Sequence, residues 1–252
     1  MNKIVFITGA SSGIGAACAK KFAQAGYDLV LNARSEDKLR PLLEELTQSY
    51  SIQICPLIFD VRDRKATQQA INSLPEGFKA IDVLVNNAGL ALGMDKEHEG
   101  IEENYDTMID TNITALLMIT RMVVPGMVER GRGHIINIGS VAGDAAYPGG
   151  SVYCATKAAV KVLSDGLRMD LVHTPLRVTN VKPGLVETNF SITRFAGDKE
   201  RADKVYQGIQ PLTGEDIADV VYYAASAPAH VQIAEVLVLA THQASGSLVY
   251  RE

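Results

Sequence analysis

Short runs of β-branched and aliphatic residues recur along the chain at 3–8, 28–32, 52–59, 81–86, 134–138, 176–181 and 235–239. Between them lie longer stretches with apolar residues at helical spacing, including 13–25, 36–50, 64–73, 101–129, 151–173 and 215–226, each long enough to cross over a sheet as a helix. Runs such as Val83-Leu84-Val85 show no polar alternation, which suits strands covered on both faces. The pattern predicts an α/β protein: a doubly wound parallel sheet of about seven strands with right-handed crossovers and helices on both faces. A single domain over 1–252 follows, with a polar, mobile-looking stretch around 188–210 expected to act as a substrate lid. Pro41 falls inside the second helical stretch, where it is expected to kink or break a turn.

Composition narrows the function. With 47% apolar and 21% charged residues, 252 residues can bury one large core, and a net charge of -5 without a long Lys/Arg run speaks against a nucleic-acid partner. The sequence enters its first apolar run at Ile4, leaving no room for a signal peptide, and no stretch reaches the roughly 18 uninterrupted apolar residues of a membrane span. Cys18, Cys55 and Cys154 are odd in number and widely spaced, so neither a disulfide framework nor a zinc site is expected. The five histidines show no ligand spacing, so no metal is expected, and a cytoplasmic setting fits best.

The first chemical signal is Thr8-Gly9-Ala10-Ser11-Ser12-Gly13-Ile14-Gly15, placed between the first strand and the first helix. Glycines there let the backbone turn and approach a pyrophosphate, whose charge meets the free N–H groups and positive dipole of the helix start; a Gly-rich bend also serves simply to join strand to helix. An acidic residue at the end of the second strand would bind a ribose 2'-hydroxyl and repel a 2'-phosphate. The strand ends instead in Leu31-Asn32-Ala33-Arg34-Ser35, offering a guanidinium and a hydroxyl to a phosphate, although Ser35 alone also reads as the N-cap of the next helix. NADP is therefore the expected cofactor.

Further strand ends carry Asn86-Asn87-Ala88-Gly89 and Gly139-Ser140, at the edge where such sheets bind ligands. Thirteen residues past Ser140 stands Tyr153, and a helix brings Tyr153 and Lys157 onto one face. An ammonium beside a phenol favours phenolate, drawing its pKa from about 10 toward working pH and making the pair a candidate general acid/base. Each residue also has a plain structural use: packing for Tyr153, a surface stem for Lys157, a loop hydroxyl for Ser140, a turn for Asn86. Cys154 points about 100° away around the helix and reads as a core thiol.

Together these elements resemble the short-chain dehydrogenase/reductase family: Thr8 to Gly15, Asp60, Asn86 to Gly89, Asn112 within a long helix, Ser140, Tyr153 with Lys157, and Pro183-Gly184 followed by Thr188. The resemblance runs from Ile4 onward and implies a Rossmann-type oxidoreductase acting on CH–OH groups, and a homotetramer. It implies that Tyr153 moves the proton, Ser140 positions the substrate oxygen, Lys157 holds the nicotinamide ribose and tunes Tyr153, and Asn112 anchors a water. It places Asp60 and Val61 at the adenine, Asn86, Ala88 and Gly89 at the ribose region, and Val186 and Thr188 at the carboxamide, beside Pro183 and Gly184.

Segments outside that pattern, 89–94, 125–143, 202–221 and 228–231, resemble the NADP-dependent 3-hydroxy acid dehydrogenases within the family, which oxidise serine and allo-threonine. Reductases of diketones, aldehydes or 3-oxoacyl thioesters are the alternative, and a non-catalytic NADP sensor on the same fold is a further one. A hydroxy acid needs a carboxylate partner. Arg194, between apolar lid residues, is the candidate; a surface pairing with Asp198 is the other reading. Apolar residues around several faces of the helices at 101–129 and 151–173, among them Met108, Ile109, Leu116, Leu117, Met118, Ile119 and Met122, predict self-association.

Overall fold

The computed structural model describes residues 2–252. Strands β1 (Ile4–Ile7), β2 (Asp28–Ala33), β3 (Ile54–Ile58), β4 (Ile81–Asn86), β5 (His134–Ile138), β6 (Arg177–Pro183) and β7 (Glu235–Val238) form one sheet in the order β3-β2-β1-β4-β5-β6-β7. Every pairing is parallel. The order reverses between β1 and β4, and a doubly wound sheet opens a crevice at such a switch point beyond its strand C-termini.

Helices α1 (Gly13–Gln24), α2 (Glu36–Ser49) and α9 (Gly214–Ser226) contribute to a core of Val5, Ile7, Leu29, Leu31, Phe22 and Ile217. On the other face, α5 (Ala115–Arg130) packs with Phe6, Leu84 and Ile135. Residues of β1 alternate between these cores: Val5 and Ile7 lie in one, Ile4 and Phe6 in the other. That explains the absence of polar alternation in the strands.

Two expectations about the elements change, and a third gains detail. Helix α2 runs unbroken through Pro41. Pro41 stands on its exposed face, the Ser35 hydroxyl accepts from Lys38 N–H, and buried Leu39, Leu42 and Leu46 hold the helix from the other side. The stretch expected to be one α-helix at 101–129 is α4 (Glu102–Ile109), a π-helical turn at Asp110–Thr114, and α5. The polar stretch expected to be mobile contains two short helices, α7 (Asn189–Arg194) and α8 (Lys199–Lys204), capped by Thr188 and Asp198.

The continuous helix 102–130 is long and apolar enough by composition to cross a membrane. Much of that apolar surface faces the protein's own core, because Met108, Leu116, Ile119, Val123 and Met127 are buried. Ile109 and Leu117 remain exposed, as do Val162, Met169 and Val172 on or just beyond α6 (Ser151–Asp170). Of the residues named from sequence, Met108, Leu116 and Ile119 are thus buried while Ile109 and Leu117 are exposed, so the protein's own core covers only part of that apolar set.

Candidate active site

At the switch point opens a cleft of about 680 Å³. Its walls include Gly9, Ser11, Ser12, Gly13 and Ile14 from the first turn, Arg34 beyond β2, and Asp60 and Val61 beyond β3. Ala88 and Gly89 follow β4, while Ser140, Tyr153 and Lys157 stand opposite. Pro183, Gly184, Val186, Thr188 and Arg194 close the far side. Four of the residues proposed from sequence lie outside this wall: Gly15, Ser35, Asn86 and Asn112.

Each of the four has another physical task. A Cβ on Gly15 would stand 2.3 Å from the Gly9 carbonyl oxygen and 2.5 Å from Asn87 Nδ2, so this glycine lets α1 close onto the turn. Ser35 caps α2, the alternative its sequence context already offered. Asn86 is buried, and its Nδ2 donates to Asn137 Oδ1 at 2.9 Å and Thr120 Oγ1 at 3.0 Å, forming a polar seam between neighbouring strands. The neighbouring Asn87 holds the first turn, donating to the carbonyls of Thr8 (2.8 Å) and Gly9 (3.1 Å). Asn112, on the π turn, accepts from Leu90 N–H at 2.9 Å and donates to Leu90 O at 2.8 Å and Thr156 Oγ1 at 3.0 Å. Its side chain thus braces the segment after β4 against α6; the expected water anchor is engaged with protein groups.

The cofactor end suits a dinucleotide carrying an extra phosphate. Gly9 and Gly13 have φ of +65° and +54°, the left-handed region that glycine adopts without strain. Ser12 makes no side-chain cap on α1, so the first-turn N–H groups and the positive end of a twelve-residue helix face the cleft. Arg34 is exposed at the same wall and forms no salt bridge among the described residues. Asp60 is held by Arg62 through bonds of 2.7 to 3.1 Å, and that pairing keeps its carboxyl below the usual range.

At the reacting end, the expected tuning of Tyr153 is reversed. Burial raises its phenol pKa above the ordinary value, while the nearby Ser140 hydroxyl and the Arg194 charge oppose the rise. Lys157 Nζ sits 5.9 Å from the Tyr153 ring centre and donates to Ile138 O at 2.8 Å; burial pushes its own pKa down to about 8. A buried, hydrogen-bonded ammonium at that distance does not outweigh the desolvation of the phenol. Tyr153 therefore holds its proton at neutral pH, ready to give it to an oxygen.

Arg194 lies in the cleft rather than at an outer surface. Its Nε donates to Gly93 O at 3.1 Å, its Nη1 to the Tyr147 hydroxyl at 2.9 Å, and its guanidinium carbon is 5.8 Å from the Tyr153 ring centre. Asp198, the other partner considered, accepts from Arg201 N–H as the cap of α8. Tyr147 also lines the cleft, and nothing local in 143–150 distinguishes a cleft-lining tyrosine from a loop aromatic. Gln243 and Arg251, which also line the cleft, lie far along the chain and carry no motif.

The short chain dehydrogenase family profile matches residues 3–199. The NADP-dependent 3-hydroxy acid dehydrogenase of Schizosaccharomyces pombe is 45% identical over 251 residues, covering 99% of this chain and 97% of that protein. Sulfoacetaldehyde reductase 2 of Chromohalobacter salexigens is 45% identical over 245 residues, 97% of this chain and 96% of that one. Among solved structures, the closed form of a serine dehydrogenase complexed with NADP+ superposes with a TM-score of 0.92 at 45% identity, covering 99% of this chain and all of the other.

Proposed function

This chain belongs to the short-chain dehydrogenase family, and on that premise we propose that it is an NADP-dependent oxidoreductase interconverting a 3-hydroxy acid, such as serine or allo-threonine, and its 3-oxo acid. Bound NADP supplies or accepts the hydride. The uncapped start of α1 receives its pyrophosphate and Arg34 its 2'-phosphate. In reduction, Tyr153 gives its proton to the substrate oxygen as charge develops there, Ser140 fixes that oxygen by hydrogen bonding, and Lys157 holds positive charge beneath the pair. In oxidation the proton returns to Tyr153.

The observation that carries the substrate class is Arg194, a guanidinium without a carboxylate partner among the described residues, held against Tyr147 and close to Tyr153. Two parallel donors there orient a carboxylate so that the 3-carbon faces the reacting centre. The same donors suit a sulfonate, and the relative named as a sulfoacetaldehyde reductase is as similar as the hydroxy acid dehydrogenase. We further propose a homotetramer in the cytoplasm. Exposed Ile109, Leu117, Val162, Met169 and Val172 support association, and three free cysteines accord with a reducing compartment.

An initial-rate panel with NADP or NADPH tests the substrate class. It compares serine, allo-threonine, 3-hydroxypropionate and 3-hydroxyisobutyrate with simple alcohols, diketones and sulfoacetaldehyde, in the native protein and Arg194→Met. Turnover of the acids should fall selectively by about 10- to 100-fold, the worth of a charge-assisted hydrogen bond. Preference for uncharged substrates, or an equal loss for all, would overturn the carboxylate reading and leave the oxidoreductase assignment.

A further inference from the structure

We propose that the hairpin at residues 242–251 is the wall that limits substrate size, with Gly246 as the contact point and Arg251 as the positioning residue that holds the wall to the lid. The proposal rests on the cleft being a dehydrogenase site. It concerns which substrates fit, not which charge they carry.

The segment is pre-formed. Tyr250 N–H donates to His242 O at 2.9 Å, Ala244 N–H donates to Leu248 O at 2.9 Å, and Gln243 and Val249 form an antiparallel bridge. Its root is fixed by Gln243, which is 5% exposed: Oε1 accepts from Leu185 N–H at 2.8 Å and Nε2 donates to Ser245 O at 3.0 Å. A Cβ on Gly184 would lie 2.1 Å from that Oε1, so the Pro183–Leu185 turn and the hairpin root interlock. A buried carboxamide with both ends bonded is a rigid joint.

The other end reaches the lid. Arg251 donates from Nη1 to Gln207 O and from Nη2 to Val205 O, and Glu252 N–H donates to Gly208 O at 3.0 Å. These carbonyls lie just past α8, so the hairpin ties the exit of the lid to the turn beside Gly184. Between its two anchors, Gly246 faces the reacting end. A Cβ built there would stand 3.7 Å from Tyr147 Cδ1, 3.8 Å from Ala142 Cα and 3.9 Å from Val141 O. Those are ordinary contacts, so an alanine fits and a branched side chain extends into the space beside Tyr147. Gly246 lacks the positive φ that would make substitution a backbone question.

The test measures kcat/KM along two homologous series, 3-hydroxy acids and uncharged secondary alcohols of increasing chain length, for native protein, Gly246→Val, Arg251→Ala and Arg251→Lys. The long-to-short ratio should fall about tenfold in Gly246→Val and rise about tenfold in Arg251→Ala, within the range one methylene commands in a pocket, with the change carried by KM. Arg251→Lys, which keeps a cationic donor for the lid carbonyls, should stay closer to the native ratio than Arg251→Ala. A ratio unmoved in both Gly246→Val and Arg251→Ala, or an equal loss at every length, would overturn the proposal. The uncharged series separates the two readings: it reports the size limit even if acids prove not to be the preferred substrates, while Arg194→Met reports charge selectivity whatever the hairpin does.

Discussion

Two lysines grip the same turn from different sides, both nearly closed to solvent, and they differ in company and in depth, Lys157 lying the deeper. Lys157, on α6, and Lys182, on β6, are 6% and 5% exposed. Lys157 donates to Ile138 O and forms no salt bridge among the described residues; burial lowers its pKa to about 8. Lys182, whose stem would lie 3.3 Å from a Cβ on Gly139, is bonded to both Asp144 oxygens at 2.8 and 2.9 Å and to Glu235 at 2.7 Å. Desolvation alone would lower its pKa, but those hydrogen bonds and the two negative charges raise it above the ordinary value. The paired lysine is a clamp, tying the segment after Ser140 to β6 and β7. The unpaired one is a charge held at a cost in the wall of the cleft, where the proposed chemistry would use it.

The largest break in this comparison comes from Lys157→Met, expected to lower turnover by about 10²- to 10⁴-fold, the range of a lost acid/base component. Stability should move the other way. The folded pKa of Lys157 lies below its ordinary 10.5, so the unfolded chain binds more protons between about pH 8 and 10.5 and stability rises with pH across that window. At pH 7 the charged group therefore weighs against the fold by up to about 3 kcal/mol. Removing it should leave denaturant stability unchanged or higher, once about 1 kcal/mol is set against it for the unpaired Ile138 carbonyl. A clear loss of stability would show that Lys157 is a structural residue.

Lys182→Met sharpens the contrast with a smaller effect of opposite sign. It leaves Asp144 and Glu235 facing each other without their cation, and since both are about one-third exposed the loss should be about 1 to 3 kcal/mol at pH 7, read from denaturant unfolding. Replacing both acids by amides in the same variant should recover part of it. If the single and triple variants are equally stable, the ion-pair network contributes nothing and Lys182 merely fills space.

The two lysines also show what a sequence makes legible. Lys157 was found because Tyr153 lies four residues away on one helix, a local relation that periodicity exposes. Lys182 meets Asp144 and Glu235 across 38 and 53 residues, which no local pattern joins. The same division runs through the molecule. The central strands were legible because burial on both faces writes itself into consecutive residues, the partly exposed edge strands β3 and β7 through their apolar runs alone, and the Gly-rich turn because a left-handed backbone demands glycine at Gly9 and Gly13. Tyr147, Gln243 and Arg251 reach the cleft through tertiary contacts, which no local pattern shows. The direction of the Tyr153 shift was misread because helical spacing reveals a neighbour's charge but not the burial that outweighs it.

The smallest expected effect asks whether the clamp acts on Lys157 by charge or by position. In the native protein, kcat/KM for carbonyl reduction should fall as pH rises through about 8, because Lys157 then loses its proton while Tyr153, with its raised pKa, keeps its own. In Lys182→Met a positive charge is gone and two acids stand uncompensated, so the Lys157 cation becomes slightly more favourable and the limb should move upward. Under water-like screening a unit charge beyond direct contact contributes only a fraction of a pH unit. A rise of more than about one unit exceeds that Coulombic estimate and would mean that the turn had opened and rehydrated Lys157. The clamp would then be setting the lysine's burial, and the two lysines would form one coupled device rather than a structural and a chemical one side by side.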